Sequence, residues 1–267
     1  RIKNIFHVAP IGIGVVSYPD RILMDVNDYM CRMLGYSREE LIGQSARLLY
    51  LNNEDYWFVG KEKYRQIQES GEGKVETRWK KKDGSAVDIL LRSTPIDMDN
   101  FDSGVTFTAM DISERKKFLA KMERVNDCFI SFTTDLLENI NKLVAVCGEI
   151  LGADCAIYNR LEGDLLCSLG QWHTPPDYNR RDSAEGHICY DVIKKLQGDD
   201  KVYIVRNLPQ TPYFKSDHNV AKYNLQTYIG CAVRIGRENI GSLCVVYQSD
   251  FEPIQEELDF LSVLTSA

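Results

Sequence analysis

Apolar side chains recur at Phe118, Met122, Val125, Phe129, Phe132 and Leu136, at spacings of 4, 3, 4, 3 and 4. With 3.6 residues per turn, that spacing lays all six along one helical stripe and leaves Lys and Glu to the other faces, in the manner of a coiled-coil seam. On either side the pattern is of another kind, with short β-branched and alternating runs punctuated by turn residues. A helix of this period cannot be absorbed into a strand-rich unit, so the chain divides around it. The expected organisation is an α+β domain over 1–112, a linker helix over 113–133 and a second α+β domain over 134–267. Each domain is expected to hold a central antiparallel β-sheet flanked by helices. The seam covers less than three heptads. It nominates Phe118, Met122, Val125 and Phe129 as the contact between two parallel copies, although so short a run is a slight basis for dimerisation by itself.

In the first domain, Ile11–Ser17 and Arg21–Asp25 read as strands around the turn residues Tyr18-Pro19-Asp20. Asn27 or Asp28 can cap the helix that follows, because a short polar side chain accepts from the free N–H groups of the first turn. Gly35 ends that helix, Ser37 caps a short one over Arg38–Leu41, and Asn53–Gln68 forms a longer one. Lys74–Lys81 and Ala86–Thr94 are paired strands, because Asp83-Gly84 supplies the positive φ that tight hairpin turns need. Gly104–Met110 completes five strands. After the linker, Thr134 or Asp135 can cap a helix that ends at Gly152. The second domain then offers strands at Ala153–Arg160 and Asp164–Leu169, and a polar loop over Gln171–Glu185. A helix at Gly186–Leu196, a strand at Val202–Arg206 and an irregular aromatic segment at Asn207–Asn224 follow. The domain closes with a hairpin, Gln226–Ile235 and Ile240–Gln248 around Arg237-Glu238-Asn239, and a helix that Pro253 opens.

Composition removes several classes. The 267 residues carry a net charge of −7, all of it in residues 124–267, where 13 basic face 20 acidic side chains. Without a basic stripe to neutralise phosphates, nucleic acid is not an expected partner. No apolar run reaches the 18 or more residues of a membrane span, so membrane contact is not expected. Eight cysteines, none in a C-x-x-C pair, sit mostly in apolar runs and read as reduced thiols of a cytoplasmic protein. The missing initiator Met, and an end inside a helical pattern, read as a fragment of a longer chain.

The segment Asn27-Asp28 with Leu34-Gly35-Tyr36-Ser37-Arg38-Glu39-Glu40-Leu41-Ile42-Gly43 resembles the helical heart of the PAS family. Lys81-Lys82-Asp83-Gly84-Ser85 is similar to its late hairpin, and Asp111-Ile112-Ser113-Glu114-Arg115-Lys116 to its exit motif. Thr227-Tyr228-Ile229-Gly230 and Ile240-Gly241-Ser242-Leu243-Cys244-Val245-Val246 resemble the GAF family. The resemblance implies a ligand- or redox-sensing input module that passes a conformational signal along the linker helix to an output domain outside this chain. Such tandems are typical of sensor histidine kinases. A GGDEF-type cyclase or a transcriptional regulator is the alternative parent.

Cofactors are tested residue by residue. Ala46 stands where light-sensing PAS domains carry a reactive Cys, so no covalent flavin adduct is expected. The long helix Asn53–Gln68 holds no His for haem. Some GAF domains take haem or a bilin through a Cys or His near loops that here contain His173, His187, Cys189 and His218. On a helix His187 and Cys189 diverge by about 200°, which argues against a shared metal, whereas on an extended start they face one way. No His or Cys pair has zinc spacing, and no metal site is expected. Met24, Asn27, Tyr29, Met33, Trp57 and Phe107 are the candidate pocket of the first domain. Trp172, His187, Cys189, Tyr213 and Tyr228 are the candidate pocket of the second, for an unidentified small molecule. Asp111 and Ser113 are the signal exit, with Ser113 capping the linker helix. No nucleophile–base pair or phosphate loop is present, so the chain is not expected to be an enzyme. A thiol-dependent redox activity from Cys167, Cys189 and Cys231 is the minor alternative.

Overall fold

The structure, a computed structural model, describes residues 6–196, 202–236 and 238–266. Two compact units meet in sequence between Ala120 and Lys121.

The first unit is a five-stranded antiparallel sheet. Its strands are β1 (Gly12–Val16), β2 (Leu23–Val26), β3 (Gly73–Lys80), β4 (Ala86–Pro95) and β5 (Val105–Asp111), in the spatial order β2-β1-β5-β4-β3. Between β2 and β3 lie helices α1 (Asp28–Leu34), α2 (Arg38–Leu41) and α3 (Asn53–Ser70), with a 3₁₀ turn at Ala46–Leu49. Alternate residues Val87, Ile89 and Leu91 of β4 turn inward with Val105, Phe107 and Ala109 of β5 to meet Met30, Leu34, Val59 and Ile67 from the helices. The capping residues act as the sequence predicts. Ser37 and Glu40 form a reciprocal capping box on α2, and Gly35 ends α1 in the left-handed conformation.

Asn27 has a larger role than its cap. It is fully buried, and its Oδ1 accepts from the N–H of both Met30 and Ile13, each at 3.0 Å. Its Nδ2 donates to the carbonyls of Ile11 at 2.9 Å and Phe6 at 3.0 Å. One amide therefore ties the N-terminal segment, β1 and α1 together.

Helix α4 (Ser113–Ile130) is continuous, stops short of Phe132, and gives way to α5 (Leu136–Leu151), which Asp135 caps. Phe132 and Leu136 therefore do not extend the α4 stripe. The second unit is built on six antiparallel strands. They are β6 (Cys155–Glu162), β7 (Leu165–Trp172), β8 (Arg181–Ser183), β9 (Tyr203–Val205), β10 (Thr227–Ile235) and β11 (Glu238–Tyr247), in the order β8-β7-β6-β11-β10-β9. Helices α6 (Ile188–Lys195), α7 (Tyr213–Ser216), α8 (His218–Lys222) and α9 (Gln255–Ser266) complete it.

Period two sorts the second sheet into two layers. Ala156 of β6, Ile229 and Cys231 of β10, and Leu243, Val245 and Tyr247 of β11 face a core closed by α5 and α9. The alternate residues Cys155, Ile157, Tyr228, Cys244 and Val246 face a second core closed by α6 and the loops. With both faces covered, these strands read as near-continuous apolar runs.

Three local expectations are corrected. The loop expected over 171–185 contains β8, whose Arg181 and Asp182 pair with Cys167 and Leu166 of β7. A strand of three polar residues gives no alternation to detect. Pro253 does not open the last helix, which begins at Gln255, since the Ile254 N–H is held by the Glu257 carboxylate at 3.0 Å as a cap would be. Glu238 and Asn239 belong to β11 rather than to the hairpin turn, and Arg237 lies outside the described residues.

Replacing Asn27 by Ala strips partners from two N–H groups and two carbonyls at once. Asn27→Ala is expected to cost the first unit about 2–4 kcal/mol. In urea unfolding that is a lower midpoint at unchanged slope.

Candidate functional site

The two units differ in what their interiors leave open. In the first, a void of only about 20 Å³ is lined by Val16, Arg21, Leu23, Ala46, Leu49, Tyr50, Lys63, Trp79, Leu91 and Phe107. That is space for about one water molecule. Phe107 is on its wall, but the other residues expected around a pocket lie elsewhere. Met24 (52% exposed) points out from a strand, and Trp57 (67% exposed) sits on the outer face of α3. Asn27 is spent on backbone hydrogen bonds, and Tyr29 and Met33, on α1, do not line the void. What lines it instead is charge. Arg21 lies with its guanidinium 3.4 Å from the Tyr56 ring centroid and donates to the Tyr56 carbonyl at 2.9 Å. Lys63 is buried nearby, and neither cation pairs with a carboxylate among the described residues. Burial, and then the positive charge of Arg21, push the Lys63 amine from 10.5 down to about 7.

In the second unit a cavity of about 280 Å³ opens on the loop-covered side of the sheet. β6 contributes Cys155, Ile157 and Asn159, three alternate residues of one face, while β7 gives Leu166 and Ser168, β10 Tyr228, and β11 Cys244 and Val246. Its upper walls come from His173, Pro175, Tyr178 and Asp182 of the long loop, from His187, Ile188 and Cys189 at the start of α6, and from Asp217, Asn219, Tyr223 and Leu225. The polar groups converge in two clusters.

The deep cluster centres on Cys189. Asn159 donates to its sulfur at 3.2 Å and Tyr228 at 3.4 Å, and the Cys244 sulfur lies 3.7 Å away. Tyr228 also meets Ser242 at 3.1 Å, while Ser168 donates to Asn159 and lies 3.0 Å from the Tyr178 hydroxyl. Hydrogen bonds from Cys244, then Tyr228 and Asn159, hold the Cys189 thiol below its ordinary value despite complete burial, and Cys244 is driven up in return. Of the three thiols expected to cooperate in redox chemistry, Cys231 faces the opposite core and Cys167 lies against Glu162 at 3.3 Å. The thiol brought to Cys189 is Cys244, 55 residues away, which no linear spacing shows.

The outer cluster is built from three segments. His187 occupies the N-cap position of α6 in an extended conformation and makes no side-chain cap bond. Asp217, itself the cap of α8, supplies that bond by accepting from the Ile188 N–H at 3.1 Å, and it lies 3.2 Å from His187 Nδ1. Burial pulls the imidazole down, but the hydrogen bond and charge of Asp217 push it up further, for a net rise. Asp217 is correspondingly lowered, against its burial, by the hydrogen bond and charge of His187. Asp182 stands 3.7 Å from His187 Nε2 and 3.2 Å from His218 Nε2. The ligand atoms of Asp182, His187 and His218 all lie within 4.8 Å of one another, a set able to hold a metal ion. The sequence separations conceal this set, whose members come from β8, from the N-cap of α6 and from the first residue of α8.

His187, Cys189 and Tyr228 thus line the cavity, and the extended start of α6 lets His187 and Cys189 face it together. Trp172 and Tyr213 do not. Trp172 lies against α5, where a Cβ on Gly148 would overlap its ring, and stacks on His173 with centroids 3.7 Å apart. The Tyr213 hydroxyl bonds Asp191 at 2.5 Å and Tyr203 at 2.9 Å, locking α7 to α6. At about 280 Å³ the cavity lies just below the roughly 300–1,000 Å³ typical of drug-sized ligand sites.

At the exit of the first unit, Asp111 accepts from the Ser113 N–H at 2.9 Å. The Ser113 hydroxyl does not cap α4 as expected, because it accepts from the Asp88 N–H of β4 at 3.0 Å. Lys116, one turn on, reaches Asp88 at 3.1 Å and Glu76 at 3.2 Å. The first turn of α4 is bolted to the sheet. Further along, Met122 and Val125 pack into the core of the second unit, whereas Phe118 and Phe129 remain exposed. Half of the expected seam is therefore occupied within the chain, because an apolar stripe serves an internal core as well as a second copy.

With this geometry in view, family comparison assigns both units. Residues 10–114 match the PAS domain and residues 135–267 the GAF domain, so the chain consists of a PAS domain followed by a GAF domain. A curated relative, the sensor protein TdiS of Thauera aromatica, is 27% identical over 142 residues, covering 52% of this chain and 26% of that protein. The chain spans about a quarter of that relative's length. Among solved structures, the PAS domain of a LuxR-family transcriptional regulator from Burkholderia thailandensis, in complex with ethanol, is 24% identical at a TM-score of 0.39. It covers 42% of this chain and 98% of its own. The chromophore-binding domain of Stigmatella aurantiaca phytochrome P1 is 14% identical at a TM-score of 0.42, covering 98% of this chain and 97% of its own. Among the described residues no helix is long and apolar enough to cross a membrane.

The buried Lys63 sets a pH dependence. Between about pH 7 and 10.5 the amine is neutral when folded and protonated when unfolded, so the unfolded chain binds the extra proton and stability rises with pH. Chemical unfolding of the PAS domain is expected to show that rise, and Lys63→Met to flatten it while stabilising the domain at pH 7.

Proposed function

We propose that this chain is the input module of a cytoplasmic signal-transduction protein, in which the GAF cavity receives a small molecule and the chain acts by binding rather than turnover. The observation that carries the reading is the cavity of about 280 Å³ lined with converging polar groups in the GAF domain, set against a void of about 20 Å³ among the described residues of the PAS core. Within this reading the PAS domain relays more than it receives. The anchoring of Ser113 and Lys116 to β4 supports a mechanical role for α4, whose start moves only if β4 moves with it. The output domain lies outside this chain. A sensor histidine kinase is the parent we favour, supported by the likeness to a sensor protein, with a GGDEF-type cyclase or a transcriptional regulator as alternatives.

Compounds that bind the cavity are expected to raise the melting temperature by about 5–10 °C at a hundredfold excess over Kd. Leu225→Trp, which places an indole in the cavity, should abolish that shift, and Lys63→Met in the PAS core should leave it. Shifts that survive Leu225→Trp would move the receptor site elsewhere.

We also propose that two copies pair through α4. Support comes from its exposed apolar residues, Phe118, Leu119, Phe129 and Ile130, the last 74% exposed. Ile130→Glu should weaken self-association in analytical ultracentrifugation. Met122→Glu should instead lower the melting temperature of the GAF domain, whose core it enters.

A further inference from the structure

We propose that Asp182, His187 and His218 form a binding site for a divalent transition-metal ion at the rim of the GAF cavity. The first argument is spacing. Nitrogen and oxygen ligands sit about 2.0–2.2 Å from such an ion, so tetrahedral neighbours are about 3.4 Å apart. The two distances to Asp182 Oδ2, 3.7 Å from His187 Nε2 and 3.2 Å from His218 Nε2, bracket that value. All three ligand atoms fall within 4.8 Å, and the exposed His218 side chain is free to close the remainder.

The second argument is the orientation of His187. An ionised carboxylate only accepts hydrogen bonds, so Asp217 at 3.2 Å takes the proton of Nδ1. In the neutral imidazole Nε2 then carries a lone pair, and that lone pair faces the carboxylate of Asp182. An ion placed between Nε2 and that carboxylate would be held by both. A carboxylate fixing one ring nitrogen while the other faces outward is the arrangement that orients metal-bound histidines and raises their basicity.

The third argument is charge. Two carboxylates, Asp182 and Asp217, converge on the two imidazoles, and a divalent ion offsets their charge. Two imidazoles with one carboxylate suit zinc, cobalt, iron(II) or nickel rather than magnesium or calcium, which prefer all-oxygen sets. Three protein ligands leave coordination positions open, and Asp182 and His187 both line the cavity. A ligand carrying a carboxylate, amine, thiol or hydroxyl donor can complete the shell. That last role for the ion rests on the cavity being the receptor site, whereas its binding does not.

The test uses the tag-free chain, stripped with a chelator and titrated with cobalt(II), followed by calorimetry and by the visible d–d absorption. One ion per chain is expected. His218→Ala, an exposed position that leaves the fold intact, and His187→Ala should each weaken binding at least tenfold, and Asp217→Asn about 10–100-fold. His7→Ala, in the PAS domain, should change nothing. Absence of stoichiometric binding, or binding indifferent to both His187→Ala and His218→Ala, overturns the proposal. Leu225→Trp separates the two readings. It removes the stabilising effect of cavity ligands and leaves cobalt binding in place, so either claim can fail without the other.

Discussion

Everything placed at the GAF site depends on the alternation of side chains across one sheet. Along β6, β10 and β11 each odd-even step transfers a residue from one core to the other. One face meets helices, and α5 lies directly on the strands. Gly170 permits that approach, since a Cβ there would stand 2.6 Å from Ile140 and 2.7 Å from Val144. The opposite face meets α6 and two long irregular segments, whose backbone cannot fill space as regularly, and the cavity is what remains. A one-residue slip in β6 would exchange Asn159 for an outward residue and dismantle the deep cluster.

The same logic explains why the two polar clusters differ. The deep one is made by strand residues with alternate spacing, so its members are set by register: Asn159 and Tyr228 converge on Cys189 because β6 and β10 flank β11. The outer one joins Asp182 of β8 to residues at the starts of α6 and α8, so helix starts set most of its members. Asp217 caps α8 and braces the first N–H of α6, and in doing so it aligns His187. A cap that serves two helices fixes an imidazole as a by-product.

Legibility in sequence followed this division. The PAS elements could be read nearly to the residue, because Asn27, Ser37, Gly35 and Asp83-Gly84 are local signals whose partners lie within a few positions. His187, Cys189 and Tyr228 were found because they sit on or beside regular elements. Trp172 and Tyr213 were misplaced because an aromatic in a loop gives no indication of whether it turns toward a cavity or a neighbouring helix. Met24 and Trp57 failed for the same reason, as period alone does not tell a pocket wall from an outer face. Cys244 reads in sequence only as a thiol in an apolar strand, and nothing local marks Asp182 or Asp217. Cys244 meets Cys189, Asp217 meets His187 and Asp182 meets His218 across long stretches of sequence, which no window of composition reports.

The charged interior of the PAS domain bears on which domain receives a signal. Arg21 and Lys63 occupy the volume in which an apolar ligand would otherwise sit, and Trp79, Tyr50 and Phe107 fill the rest. Opening that space means moving a guanidinium off the Tyr56 ring and leaving its hydrogen bond to the Tyr56 carbonyl unmade, in a region where unmade polar bonds cost about 1–3 kcal/mol each. The GAF cavity requires no such movement, because its polar groups already line open space and are held in place largely by bonds to one another. A preformed site binds without the ordering cost that a closed core imposes. In the proposed division of labour the PAS sheet, pinned to α4 through Asp88, Ser113 and Lys116, contributes stiffness, and the GAF cavity contributes binding.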